Sequence, residues 1–264
     1  MSNKNGLFRI PKLSYRVWKV WMRNKDVFMK TYKTNFLPSL LEPVLYLLAL
    51  GLGLGGFVQP INGESYIQFI APALVSVSMM YSSFYECTYA SFVRMYYQKT
   101  FDAIIAAPIS IEEVITGEIL WGATKALINS SIVLAVIVVF GLVPSPLFLL
   151  IPFLSVFVGL MFASIAMCFT AIVPNIDSFN YPGFLFITPM FLLSGTFFPL
   201  TSLPQILQIV AQIFLPLSNA VAVTRSLALG NLQFSLIFNM AWMIIITPVF
   251  FVLAINLMKR RLIK

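Results

Sequence analysis

Histidine is absent from the 264 residues, and the only cysteines, Cys87 and Cys168, sit inside apolar runs. These lacks exclude the usual zinc sites and the Ser-His-Asp and Cys-His nucleophile systems, which need imidazole. A disulfide framework goes with them, since two cysteines buried in apolar segments do not make one. Charge is scarce as well: 10% of residues are charged against 59% hydrophobic, and the mean hydropathy is +0.92. A soluble domain carries roughly 25% charged residues. So little charge cannot cover a water-facing surface, and lipid is the expected solvent. Also missing is any Gly-x-x-x-x-Gly-Lys-[Ser/Thr] run. Without that phosphate cradle, any use of ATP must come from a partner. No cleavable signal peptide is expected, because the first thirty residues are basic and amphipathic and lack an apolar core.

The net charge of +8 is unevenly placed. Nine of the 17 basic residues lie between Lys4 and Lys33, and Lys259, Arg260, Arg261 and Lys264 close the chain. Basic residues set against apolar segments mark the cytoplasmic side of a membrane protein, so no nucleic-acid partner is expected. Between 12 and 33, Lys12, Arg16, Lys19, Arg23 and Lys30, with Asp26 among them, recur at spacings that share one helical face. Trp18, Trp21 and Phe28 fall opposite, flanked by Val17, Val20, Met22, Val27 and Met29. Such an amphipathic helix lies in the membrane interface beside anionic headgroups, or else packs on a partner as an ordinary cytoplasmic helix.

Apolar segments follow near 36–58, 66–93, 110–143, 147–173, 183–198 and 234–258. The expected fold is therefore all-α and integral to the membrane, with six transmembrane helices. The first carries Glu42 near its start, then Gly51 and Gly55, four apart, which suit close approach of another helix. Its Gly51, Gly53 and Gly56 match a dinucleotide fingerprint, but outside the strand–helix unit that motif requires. Span three opens on a capping box, Ser110-Ile-Glu-Glu113. Residues 199–233, interrupted by Pro199, Pro204 and Pro216, are too broken for one straight span and too apolar for a solvated loop. With both termini inside, the cytoplasmic positions collect all basic residues but Lys125 and Arg225, and the outer turns at 59–65 and 144–146 hold none. Asn129-Ser-Ser131 spells a glycosylation sequon but lies within a span.

Residues 94–113 form the cytoplasmic loop between spans two and three, where Arg94 and Lys99 mark the return to the cytoplasm. Thr100 is placed to cap a short helix that Pro108 must end. Phe101, Ile104 and Ile105 on that helix would face the cytoplasm and need a partner to cover them. A protein docking there could feel, or drive, the packing of spans two and three. Within the membrane, Glu86, Glu118 and Lys125 are the charges nearest the interior. Each costs about 2.5–3.5 kcal/mol at a helix centre and asks for a partner or a watery cavity. Lys125 stands two turns from Glu118 on the same face and can reach Glu86 across the helix pair. The three serve either as buried polar contacts between helices or as substrate contacts.

Several short motifs run in order along nearly the whole chain. They are Glu42-Pro-Val-Leu-Tyr-Leu47 with its glycine run, Tyr89-Ala-Ser-Phe-Val-Arg-Met95, Thr100-Phe-Asp-Ala103 and Gly117-Glu-Ile-Leu-Trp-Gly-Ala-Thr-Lys-Ala126. Beyond them come Thr188-Pro-Met-Phe-Leu-Leu-Ser-Gly-Thr-Phe-Phe-Pro199, Leu203-Pro204, Phe214-Leu-Pro-Leu-Ser218 and Arg225-Ser-Leu-Ala-Leu-Gly230. In order and spacing they resemble the type-2 ABC exporter permeases and, within them, the nodulation-factor (NodJ-like) lipooligosaccharide export permeases.

The resemblance implies a single permease domain over 1–264 that pairs as a homodimer, with two copies of a separate ABC ATPase subunit. ATP and Mg would be bound by that subunit, leaving no cofactor and no catalysis in this chain. It also implies that the loop 94–113 couples ATP hydrolysis to the membrane, through Arg94, Thr100, Phe101, Asp102, Ile104, Ile105 and Pro108. Residues 199–233 would form broken or re-entrant helices on the outer side, buried in protein or lining a cavity. The substrate would be a lipid-linked saccharide or other amphiphile, moved outward across a bacterial cytoplasmic (inner) membrane with both termini inside. Alternatives are a drug efflux permease and, in a different class, a proton-coupled secondary transporter using Glu86 and Lys125 as its relay. Inverted repeats would favour the latter, and none is visible.

Overall fold

The computed structural model describes residues 10–61 and 63–263, and their side chains apart from those of 33–40, 42, 43 and 52. Lys4, Arg9, Asn62 and Lys264 lie outside the described residues, as do the side chains of Lys33 and Glu42. The described residues are mostly helical, and their only β-feature is an isolated bridge between Ile61 and Glu64.

Helix α1 (Val17–Tyr46) continues through a π-helical segment, Leu47–Leu54. Helix α2 (Tyr66–Tyr85) runs on through two more, Glu86–Ala90 and Val93–Tyr97, so that Tyr66–Tyr97 is one rod of 32 residues. A turn through Lys99 at φ 53° leads into the short α3 (Thr100–Ile105). Next come α4 (Ile111–Val139) and, after a 3₁₀ turn at Pro146–Leu150, α5 (Ile151–Ile172). The short α6 (Asn180–Pro182) and α7 (Thr188–Leu193) flank a π segment at Gly183–Ile187. Then α8 (Gln205–Phe214) and α9 (Pro216–Leu229) meet at a bend of 92°, and α10 (Ser235–Leu262) follows.

Among the described residues, four rods are long and apolar enough to cross a bilayer: Tyr66–Tyr97, Ile111–Val139, Pro146–Ile172 and Ser235–Leu262. The bent α8–α9 pair makes a fifth if it is one broken span. The expected span at 183–198 begins earlier and ends earlier, as a continuous helical run of 3₁₀, α and π pieces from Asp177 to Leu193. The expected first span is the far part of the helix that begins at Val17, and its π segment stops at Leu54.

At the centre α4 packs against α1, α2 and α5, while α2 and α10 both lie on α5 and α9. Small residues allow the approach. A Cβ added at Gly122 would stand 2.6 Å from Cys87 Sγ, and one at Gly159 would stand 2.9 Å from the Ala123 Cα. Membrane helices pack this way because lipid supplies no hydrophobic drive between them. Phe153, Ile237, Phe238 and Ile245 point outward, which water would penalise and lipid satisfies.

Helix α1 lies alongside α4. Val20 packs at Gly117, Trp21 Nε1 donates to Thr124 Oγ1 at 2.8 Å, and the Phe28 ring meets Trp121 edge-on at 5.6 Å. One side of the amphipathic segment is thus covered by the chain itself, while Trp18, Val27 and Met29 remain exposed.

Candidate functional site

Glu118, on α4, is fully buried. Its carboxylate accepts from Arg94 Nε at 2.9 Å, from Arg94 Nη2 at 2.5 Å, from Asn24 Nδ2 at 2.8 Å and from the Ser91 hydroxyl. Arg94 Nη1 turns the other way and pairs with Glu86 Oε1 at 2.8 Å, the two side chains being 14% and 11% exposed. One guanidinium therefore clamps two carboxylates from two helices. A carboxylate survives burial only when paired and hydrogen-bonded. Arginine suits the task because its planar fork offers five donors and does not release its proton. Both Glu86 and Arg94 stand in the π segments of the α2 rod, where widened turns aim side chains as an unbroken α-helix would not.

The sequence places Arg94 at the start of the loop and Lys125 within reach of Glu86. Arg94 lies instead inside the rod and makes the close ion pair with Glu86, while Lys125 also stands within electrostatic reach of that carboxylate. Lys125 Nζ stands 4.5 Å from the centre of the Phe28 ring, a cation–π contact. Beside the clamp Arg23 donates from Nη1 to Asn24 Oδ1 at 2.9 Å and from Nη2 to Thr100 Oγ1 at 3.5 Å. Burial lowers the Arg23 guanidinium from its ordinary value, and the Glu118 carboxylate opposes that shift. A cavity of about 640 Å³ opens here between α1, α2 and α4.

The loop differs from expectation in two ways. Lys99, in the left-handed conformation, takes the cap position of α3, and Thr100 is the first helical residue. Phe101 needs no outside cover: it is fully buried in the core, and Ile104 and Ile105 pack against that core part-buried. The three share one face of α3, which turns inward onto α4 and the end of the α2 rod. What faces out is the opposite side, Asp102 and Ala103, with the Ala106–Pro108 end. Helix α3 stops before Pro108, whose carbonyl accepts from Arg16.

Just beyond, the capping box forms in both halves: Glu113 N–H donates to Ser110 Oγ at 3.3 Å, and Ser110 N–H to Glu113 Oε2 at 2.7 Å. The Lys12 N–H donates to Glu112 Oε2 at 2.7 Å, Lys259 Nζ pairs with Glu112 Oε1 at 2.5 Å, and the Ser14 hydroxyl donates to Glu113. Both basic ends of the chain so gather on the first turn of α4, where carboxylates favour the helix dipole. At the opposite end of α2, Arg225 donates to the Phe69 carbonyl at 3.1 Å and the Gly195 carbonyl at 2.8 Å, and its guanidinium lies over the Phe69 ring. It ties α9, α2 and the turn after α7 together.

Asn24 and Ser91 escaped the sequence reading. Asn24 breaks a run of basic and apolar residues, and Ser91 sits one turn before Arg94, but neither position signals a partner so distant along the chain.

The model of the ABC-2 type transporter family matches residues 15–229. The chain is 34% identical over 246 residues to Nodulation protein J of Sinorhizobium fredii (strain NBRC 101917 / NGR234), covering 92% of this chain and 93% of that one. It is 38% identical over 213 residues to Nodulation protein J of Rhizobium meliloti (strain 1021), covering 80% of each. Inner membrane transport permease YadH of Escherichia coli (strain K12) is 23% identical over 189 residues, 72% of this chain and 73% of that one. No solved structure matches. A multi-pass helical chain with this reach of similarity belongs to the ABC-2 type transporter family and is the membrane permease subunit of an ABC exporter.

Proposed function

We propose that two copies of this chain form the membrane unit of an ATP-driven exporter for a lipid-linked saccharide or similar amphiphile, each copy docking one separate ATPase that binds ATP and Mg. In this reading each copy crosses the bacterial inner membrane six times with both ends in the cytoplasm, and the α8–α9 elbow is a re-entrant pair on the outer side. The 92° bend at a proline and the placing of Arg225 and Arg94 at opposite ends of α2 support that arrangement. The name of the YadH relative, an inner membrane transport permease, supports the location. The glycolipid assignment rests on the Nodulation protein J relatives and the motifs quoted above.

The observation that carries the coupling role is the adjacency of the loop to the clamp. Thr100 of α3 is bonded to Arg23, Phe101 is buried in the core, and Arg94 holds Glu118 one turn before the loop. An ATPase pressing on the Asp102 face would act on packed core rather than on a loose linker. A proton relay is less well supported, since both Glu86 and Glu118 are held by a guanidinium that keeps its proton.

The test is to reconstitute the chain with a candidate ABC ATPase from the same genome and follow both hydrolysis and transport into vesicles. Lipid-linked saccharides should stimulate hydrolysis and move. If cationic drugs do both and saccharides neither, the glycolipid reading fails and drug export replaces it. Transport driven by a proton gradient without ATP would overturn the exporter reading itself.

A further inference from the structure

The cavity between α1, α2 and α4 carries chemistry that the ion clamp does not use. Tyr81, Tyr85 and Tyr89, four residues apart on the Tyr66–Tyr97 rod, line one wall as a ladder. Tyr81 and Tyr85 stack at 5.6 Å with 3° between their planes, and Tyr85 and Tyr89 lie 5.9 Å apart. Trp121 and Phe28 line the facing side. Amid the rings stand Arg23, Arg94 and Lys125 with Glu86, while Glu118 lies behind Arg94. Among the described residues the cations at this cavity thus outnumber the carboxylates, and its field is positive.

The volume of about 640 Å³ falls in the range that encloses small molecules, and aromatic walls with a few fixed polar groups are how such sites are built. Tyr85, 42% exposed, leaves one side open. From Gln98 at the loop end to Tyr81 the wall follows α2 for about 25 Å, toward the middle of the bilayer. Arg23 and Arg94 stand at the loop end of that wall and Lys125 deeper along it, where a cation calls for a watery or ligand-filled space. An acyl chain has no use for the two cations beyond the clamp, Arg23 and Lys125, and a bare anion has none for a ladder of rings.

We propose that this cavity binds the head group of an anionic glycolipid-like amphiphile: a sugar-like ring against the tyrosine ladder, its acidic group toward Arg23 and Lys125, its tail leaving past Tyr85 into lipid. The proposal rests on the exporter reading and deepens it, since it makes recognition a property of a single chain and gives the substrate a charge.

The test uses the purified full chain in nanodiscs of zwitterionic lipid, without any ATPase, titrated with dodecyl glucuronide, dodecyl glucoside and dodecyl phosphate. The glucuronide should bind about tenfold tighter than either of the others, the gain expected of one charge-assisted pair. Arg23→Gln should remove the preference over the glucoside and leave glucoside binding alone. Tyr85→Ala should weaken both sugars about fivefold and leave the phosphate unchanged. Both side chains are partly exposed, and an unshifted unfolding midpoint confirms the fold of each variant. Should Arg23→Gln not fold, salt raised from about 0.05 M to 0.5 M on the unaltered protein must still shrink the preference. Equal binding of glucuronide and glucoside, or a preference untouched by both Arg23→Gln and salt, overturns the proposal. So does phosphate binding as tight as the glucuronide. Because no hydrolysis or transport is read, failure here leaves the exporter reading standing, and failure of reconstituted transport leaves this result standing.

Discussion

Replacing Arg94 by alanine should be among the most damaging single changes in this protein. It strands Glu118, which has no exposure at all, and Glu86, which is 11% exposed. Breaking a buried pair by removing one partner costs about 3–5 kcal/mol in soluble proteins. In lipid the unfolded reference also finds partners, which trims the loss to about 2–3 kcal/mol. Ser91 and Asn24 would still donate to Glu118, but neither supplies charge. Arg94→Ala combined with Glu118→Gln should recover about half of that loss, because the stranded charge is gone.

The buried thiols of Cys87 and Cys168 provide the assay. A maleimide dye reaches them only as the fold opens, so thermal and denaturant midpoints follow in detergent or nanodiscs. The same cycle on Glu86 and Arg94 should give a larger coupling than the one on Glu86 and Lys125. A loss under about 1 kcal/mol for Arg94→Ala, or strictly additive losses in the Arg94–Glu118 cycle, would refute the clamp.

Other consequences are open to measurement. The loop side chains should separate: Phe101→Ala should destabilise the membrane domain by about 3–4 kcal/mol, whereas Asp102→Ala should keep the fold and weaken ATPase docking in a pull-down. Gly159→Ala pushes a methyl against the α4 backbone and should lower the unfolding midpoint, while Gly53→Ala, which meets nothing within 4 Å, should not. In a background lacking Cys87 and Cys168, a single cysteine at exposed Gln59 should label from outside and one at Asp102 only from inside, and a reversed pattern would break the orientation. The purified chain alone should hydrolyse no ATP, and turnover that survives removal of contaminating ATPases would contradict the partner requirement.

Elements governed by local chemistry were legible in the sequence. The Ser110–Glu113 box is a short-range pattern, and both of its bonds form. The apolar runs at 66–93, 147–173 and 234–258 reappear as rods because length and hydropathy alone decide them. The prolines in 199–233 announced a break, and it comes at Pro216. What stayed hidden depended on contacts between distant residues. An arginine near the end of an apolar run reads as a cytoplasmic flank, and nothing local shows that it turns back to Glu118, 24 residues on. Asn24 meets the same carboxylate from 94 residues away. The apolar face of α3 was visible as a face, but whether it turned outward to a partner or inward to its own chain is settled by packing, and Phe101 turns inward.

That inward turn bears on how force would reach the membrane in the proposed mechanism. An exposed apolar helix would bind its partner by burying Phe101, and binding alone would exhaust the contact. With Phe101 already in the core, a partner meets Asp102, Ala103 and the Ala106–Pro108 end, and any push on that face displaces a residue that the core holds in place. The displacement has two polar outlets. One runs through Thr100 to Arg23, on the cavity wall, and the other back along the π segment to Arg94 and the two carboxylates it clamps. Parting the clamp would leave buried charges without their partner, which is costly, so the clamp resists such a shift. In the proposed coupling, a push on the Asp102 face would therefore be felt where α2 packs on α4, and the positive cavity beside the clamp is the first space whose shape and charge it would change.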